Sequence, residues 1–218
     1  MTIAENITRI NSELPPQTKL VAVSKFHPAS QILEAYGAGQ RLFAESRPQE
    51  LASKVDALPG DIEWHFIGHL QTNKLKMVLP YAALVQSVDT RHLLEEINKW
   101  GKANSKVIPV LLELHIGAEE TKQGFFEEEV LEILFSKDSF PHIEFRGLMG
   151  MASHTDDDEL VSGDFARIRD FYDYLRDLFP EIGTFDTLSI GMSDDYRIAL
   201  KYGPTLVRIG TAIFGERG

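Results

Sequence analysis

The stretch Leu20-Val21-Ala22-Val23-Ser24-Lys25-Phe26-His27-Pro28 decides between two folds. Its first four residues are apolar and read as a short buried strand. Pro28 then opens a helical pattern, with Ile32, Leu33 and Tyr36 on one face and Gly37 and Gly39 ending it. A strand leading straight into a helix belongs to a parallel α/β architecture. That architecture is either an open doubly wound sheet or a closed (β/α)₈ barrel. An open dinucleotide-binding sheet normally carries G-x-G-x-x-G after its first strand. Here that position reads Ser24-Lys25-Phe26-His27-Pro28, so the fingerprint is missing.

Outward from this unit the alternation repeats. Apolar or β-branched runs at 41–46, 64–68, 83–88, 107–116, 143–149, 187–190 and 206–209 read as seven further strands. Helical patterns separate them, the longest an amphipathic run over 160–179. Ile3, Ile7 and Ile10 predict one more helix over 2–14, ahead of the first strand. Eight strands in 218 residues lie near the lower end of the barrel size range. The expectation is a single (β/α)₈ TIM-barrel domain over 1–218 with an extra N-terminal helix.

Composition narrows the function. There are 22 Lys and Arg against 33 Asp and Glu, a formal net charge of −11. Such a balance argues against broad binding to nucleic acid, where cations must neutralise phosphates. Cys is absent. That excludes a disulfide framework, a thiol nucleophile, Cys-ligated zinc and Cys-bound iron–sulfur clusters. A chain of this length buries roughly 70% or more of its unfolded surface, so it needs no metal staple. Residues 1–14 have neither a basic region nor an apolar core of the signal-peptide kind. No apolar run approaches the roughly 20 residues of a membrane span. The expectation is a cytoplasmic protein without membrane or nucleic-acid partners. His154 to Glu159 reads as a solvated acidic turn.

In a barrel, function sits at the C-terminal strand ends. Lys25 ends the first strand. Burial there would lower the pKa of its amine, as a Schiff-base nucleophile requires. The alternative is a lysine snorkelling at the strand mouth. His65, inside the third strand, is either a satisfied core histidine or a ligand. His69, Asn73 and Lys74 follow, lining a pocket or capping the next helix. Ser193 follows strand seven, and Gly210 and Thr211 follow strand eight, with Arg208 close by. Small residues and hydroxyls at these turns let backbone N–H groups approach an anion. The bland reading is ordinary turn and cap chemistry. A carbonyl-reactive lysine and a phosphate cradle on one barrel mouth together suggest pyridoxal 5′-phosphate.

Seven ordered segments carry a resemblance. They are 20–25, 34–41, Phe43-Ala44-Glu45-Ser46 with its continuation to Glu50, 64–74, 147–151, 188–195 and 207–215. Through them the chain resembles the pyridoxal-phosphate homeostasis protein family, whose fold is similar to the barrel domain of alanine racemase. The resemblance implies that Lys25 forms the Schiff base and that Ser193, Gly210 and Thr211 bind the phosphate beside Arg208. It also implies that Phe43, Ser46, His65 and Met149 line the cofactor ring. Ala44 and Ser46 depart from the commoner F-G-E-N pattern, and Ser46 lacks the reach and second donor of an amide.

A racemase of this kind has a second acid/base, often a tyrosine, and a C-terminal β domain. All six tyrosines fall in or beside predicted helices, and only Glu216-Arg217-Gly218 follows Gly215. The expectation is no C-terminal β domain, no catalytic residue set and no metal. The resemblance implies a monomeric carrier that buffers pyridoxal 5′-phosphate or delivers it to dependent apo-enzymes. The alternatives are a small racemase using Lys25 as base and a cofactor-independent phosphate-binding barrel.

Overall fold

The computed structural model describes residues 1–118 and 123–215. Eight strands pair in parallel and close on themselves. They are β1 (Lys19–Val23), β2 (Leu42–Glu45), β3 (Glu63–Phe66), β4 (Ala82–Val88), β5 (Ile108–Leu114), β6 (Ile143–Gly150), β7 (Thr187–Ser189) and β8 (Leu206–Ile209). The closing register sets Val21 opposite Arg208 and Ala22 opposite Ile209. The expected barrel is therefore the one that forms.

Alternation along each strand sorts the apolar residues into two layers. Val21, Val23, Ala44, Leu84, Leu111, Met149 and Leu206 fill the barrel interior. Their neighbours Ala22, Phe43, Leu112, Leu148 and Val207 belong to the larger cluster that packs against the helices. Because both faces are covered, these strands read as continuous apolar runs.

The helices connecting the strands are α2 (Ala29–Gly37), α3 (Pro48–Ala57), α4 (Leu75–Val78), α5 (Arg91–Asn104), α6 (Glu127–Phe135), α7 (Asp158–Leu178) and α8 (Tyr196–Ala199). A four-residue turn of helix, α9 (Thr211–Phe214), follows β8. Directly ahead of α4 the chain makes a tighter 3₁₀ turn over Thr72–Lys74. The acidic stretch at 154–159 is more than a solvated turn. Asp157 accepts hydrogen bonds from the N–H groups of Glu159 and Leu160 and so caps α7.

The additional helix α1 (Ile3–Glu13) is closed at its start by a capping box between Thr2 and Glu5. It buries Ile3, Ile7 and Ile10. Its last residue is clipped to α8. Glu13 accepts from the Tyr196 hydroxyl at 2.7 Å and from Arg197 Nε at 2.9 Å.

One glycine fixes how β6 meets β7. Gly147 has φ +142°, and a Cβ there would run into the carbonyl of Thr187. The two strands approach too closely at this point for any side chain.

Candidate functional site

β1 ends in a tight turn that carries Lys25. The His27 N–H donates to the Ser24 carbonyl at 3.0 Å. Lys25 and Phe26 are the central residues. Phe26 takes φ +69°, in the left-handed region. Turns of this shape favour glycine there, and a bulky residue is an outlier. Such strain costs on the order of 1–3 kcal/mol and persists only where the surroundings enforce it. Here α3 does so. The Phe26 N–H donates to Glu50 Oε2 at 2.9 Å, and the Arg47 guanidinium lies 4.2 Å from the Phe26 ring centre.

The opposite wall comes from the ends of β7 and β8. Ser193 Oγ accepts from the N–H of Gly210 at 3.3 Å and from the N–H of Ala212 at 3.4 Å. One hydroxyl thus ties the two turns into a single cradle. At Gly210 a Cβ would lie 3.1 Å from the Val23 carbonyl, so a side chain would crowd the wall toward β1.

Arg208 forms the floor and is 4% exposed. Its Nη1 donates to the Ser189 carbonyl at 2.8 Å and to Ser189 Oγ at 2.6 Å, and its Nη2 to the Gly150 carbonyl at 3.0 Å. Burial draws the guanidinium down to about 10, against the opposing pull of Glu113 and Asp195. It therefore stays a cation at neutral pH.

These parts enclose a cavity of about 200 Å³. Of the residues singled out in the sequence, Lys25, Met149, Ser193, Arg208, Gly210 and Thr211 line it together. Val23, Ile67, Met151, Met192 and Asp194 complete the wall and were not anticipated. Met151 and Met192 also border a second cavity of about 260 Å³ containing Glu113, His115 and His154. Burial, then the nearby Asp89, pushes the Glu113 carboxyl up to about 7. A larger hollow of about 560 Å³ lies beside α7, between Asp173 and Asp186. It holds none of the anticipated residues.

His69, Asn73 and Lys74 do not line this cavity, and neither do three of the residues expected at the cofactor ring. Phe43 is fully buried on the helix side of β2, its ring 5.8 Å from that of Trp64. Its neighbour Ala44 is the one that faces the interior. Ser46 lies past the end of β2, where its carbonyl closely approaches Gly68. His65 is a core histidine, as the alternative reading had it. Its Nδ1 lies 2.6 Å from Gln86 Nε2, and burial with the charges of Lys19 and Arg146 pulls it down to about 3. It is therefore neutral. Gln86 Oε1 accepts from Ser189 Oγ at 2.7 Å. A buried polar chain thus runs from His65 through Gln86 and Ser189 to Arg208. This chain links His65 to the cavity floor.

A family model described as the alanine racemase N-terminal domain matches residues 1–218. The chain belongs to the alanine racemase N-terminal domain family. Within it, the chain is 39% identical over 202 residues to the pyridoxal phosphate homeostasis protein of Haemophilus influenzae, covering 91% of this chain and 85% of that one. The mouse protein of the same name is 37% identical over 232 residues, covering 99% of this chain and 83% of its own. Among solved structures, PipY of Synechococcus elongatus without PLP superimposes with a TM-score of 0.93 at 33% identity, covering 98% of this chain and all of PipY. The same protein with PLP bound gives 0.89. Alanine racemase of Clostridium difficile shares the barrel fold, with a TM-score of 0.75 at 16% identity over 56% of that enzyme.

Proposed function

We propose that this chain binds pyridoxal 5′-phosphate and serves in its intracellular homeostasis, holding the cofactor through Lys25. The observation that carries the reading is the meeting of Lys25, Ser193, Gly210 and Thr211 on one cavity of about 200 Å³. Relatives across most of the chain's length bear the homeostasis name, and the PipY barrel binds PLP.

The residues present fit the group. The cofactor supplies an aldehyde that condenses with an amine and a phosphate that needs hydrogen-bond donors. The Lys25 amine is the nucleophile at the mouth of β1. The cradle tied by Ser193 Oγ offers backbone N–H groups and the Thr211 hydroxyl for the phosphate. Arg208 would supply a fixed positive charge at the cavity floor. Met149 and Ile67 offer an apolar wall. Phe43, Ser46 and His65 act at one remove, through β2 packing and the polar chain beneath Arg208.

The role is that of a carrier. This reading is supported by the cavity lining, which among the described residues includes no tyrosine to serve as a second acid/base. The protein works in the cytoplasm as a monomer, with pyridoxal-phosphate-dependent apo-enzymes as recipients.

A visible spectrum of the protein mixed with pyridoxal 5′-phosphate tests this. A new absorption band that survives gel filtration is expected, and it should vanish in Lys25→Ala. No band in the native protein sinks the reading. Racemisation of alanine or another amino acid above background overturns the carrier role.

A further inference from the structure

Behind the Lys25 turn lies a buried cluster that the cavity does not use. Lys54 of α3 has only 10% of its side chain exposed, and Glu45 of β2 has none. An ammonium has three N–H donors, and Lys54 Nζ has three acceptors. They are Glu45 Oε1 at 2.7 Å, the Ser24 carbonyl at 2.9 Å and Glu50 Oε2 at 3.3 Å. Ser24 Oγ donates to the same Glu45 oxygen at 2.6 Å. Glu50 Oε2 in turn receives the N–H of Phe26. The cluster therefore grips the backbone on both sides of Lys25: the carbonyl before it and the amide after it.

Two features point to presentation of Lys25 rather than to stability alone. Glu45 Oε2 is buried and has no hydrogen-bond partner among the described residues. The carboxylate is thus arranged around Ser24 and Lys54 and not for its own satisfaction. A buried ion pair is also weak evidence of net stabilisation, since an apolar replacement often does as well. Moreover, what the cluster enforces is an unfavourable backbone at Phe26, next to the nucleophile. Burial works to raise the Glu50 carboxyl, but the Phe26 N–H and the Lys54 ammonium hold it below its ordinary value. It is thus ionised and available to the turn.

We propose that Lys54, with Glu45 and Glu50, positions the Lys25 amine over the cavity by clamping the Ser24–Phe26 backbone into its strained turn. This rests on the reading of Lys25 as the covalent anchor for pyridoxal 5′-phosphate. Lys54 is a positioning residue that touches no ligand.

Two probes separate positioning from general structure. Stopped-flow absorbance gives the rate at which Lys25 captures pyridoxal 5′-phosphate. Calorimetry gives the affinity for pyridoxine 5′-phosphate, which carries an alcohol in place of the aldehyde. Lys54→Met is expected to slow capture by about ten- to a hundredfold while leaving the affinity for the alcohol within about twofold. Phe26→Gly in the Lys54→Met background should recover most of the rate, because glycine adopts the positive φ unaided. If Lys54→Met does not fold, Glu50→Ala, at a partly exposed position, should show the same split. Capture at the native rate in the variants overturns the proposal, as does a proportional loss of both ligands. A native protein that captures nothing removes the cofactor reading itself, so the two failures are distinguishable.

Discussion

Glu113 loads the molecule with a pH-dependent cost. Its ordinary value of 4.5 rises to about 7 in the fold. Between these values the folded state keeps a proton that the unfolded state releases, so stability falls as pH rises from about 4.5 to about 7. Glu113→Gln should therefore stabilise the protein at about pH 8, by on the order of 2–3 kcal/mol, and do little at about pH 4. Urea melts at both pH values check this; an equal effect at the two would refute it. His65 slopes the opposite way over a wider range. Its value falls from 6.5 to about 3, so the unfolded state binds the extra proton and stability drops as pH falls through that window. At this scale the sequence was informative at strand ends and poor within strands. Lys25, Ser193, Gly210 and Thr211 follow from the rule that barrels place function there. Phe43 does not, because one step along β2 exchanges the interior for the helix layer. Ala44 faces inward with Val21 and Val23, and Phe43 stands opposite the outward Ala22. That register is invisible before the strands are paired.

Among the elements, α1 depends on its clip. The Arg197 and Tyr196 hydrogen bonds, with Arg9, hold the Glu13 carboxyl down at about 2, against an ordinary 4.5. The sign is that of a depressed acid: the stabilisation is present above about pH 4.5 and is lost as pH falls toward 2. Glu13→Gln should flatten that part of the acid-stability curve, as followed by thermal melts; an unchanged acid slope would discount the clip. Gly147 sets a harder limit. Gly147→Ala places a methyl against the Thr187 carbonyl and requires a positive φ. The expected result is a loss of 4 kcal/mol or more, roughly the exceptional class for single substitutions, or failure to fold. A soluble variant melting like the native protein would contradict the close approach of β6 and β7. All eight strands were legible because both faces are apolar, so each run stands out from its polar flanks. Their ends were less so. The fifth was read through Ile116, whereas β5 stops at Leu114. Phe125, two residues ahead of α6, pairs with Leu114 as an isolated parallel bridge. Tertiary pairing overrides local preference there.

In the whole molecule, a net charge of −11 surrounds a site suited to an anion. The local devices must outweigh that field: the Arg208 charge, the cradle of N–H groups and the covalent bond proposed at Lys25. Together they tie β1 to β7 and β8. A ligand bound only by the folded barrel raises stability by mass action. Melting temperature should therefore climb with pyridoxal 5′-phosphate concentration, by more than with inorganic phosphate alone. Differential scanning fluorimetry distinguishes the two, and equal shifts would leave the covalent anchor without thermodynamic weight.

The pairing of Val21 with Arg208 has a meaning in time as well as in space. As the chain emerges from a ribosome, β1 appears first and waits for β8 before its second neighbour exists. Until then Lys25 has no cradle facing it. A nascent or truncated barrel thus holds the proposed nucleophile without the cradle proposed to retain a phosphorylated aldehyde, so the capture proposed at Lys25 would wait until the ring has closed.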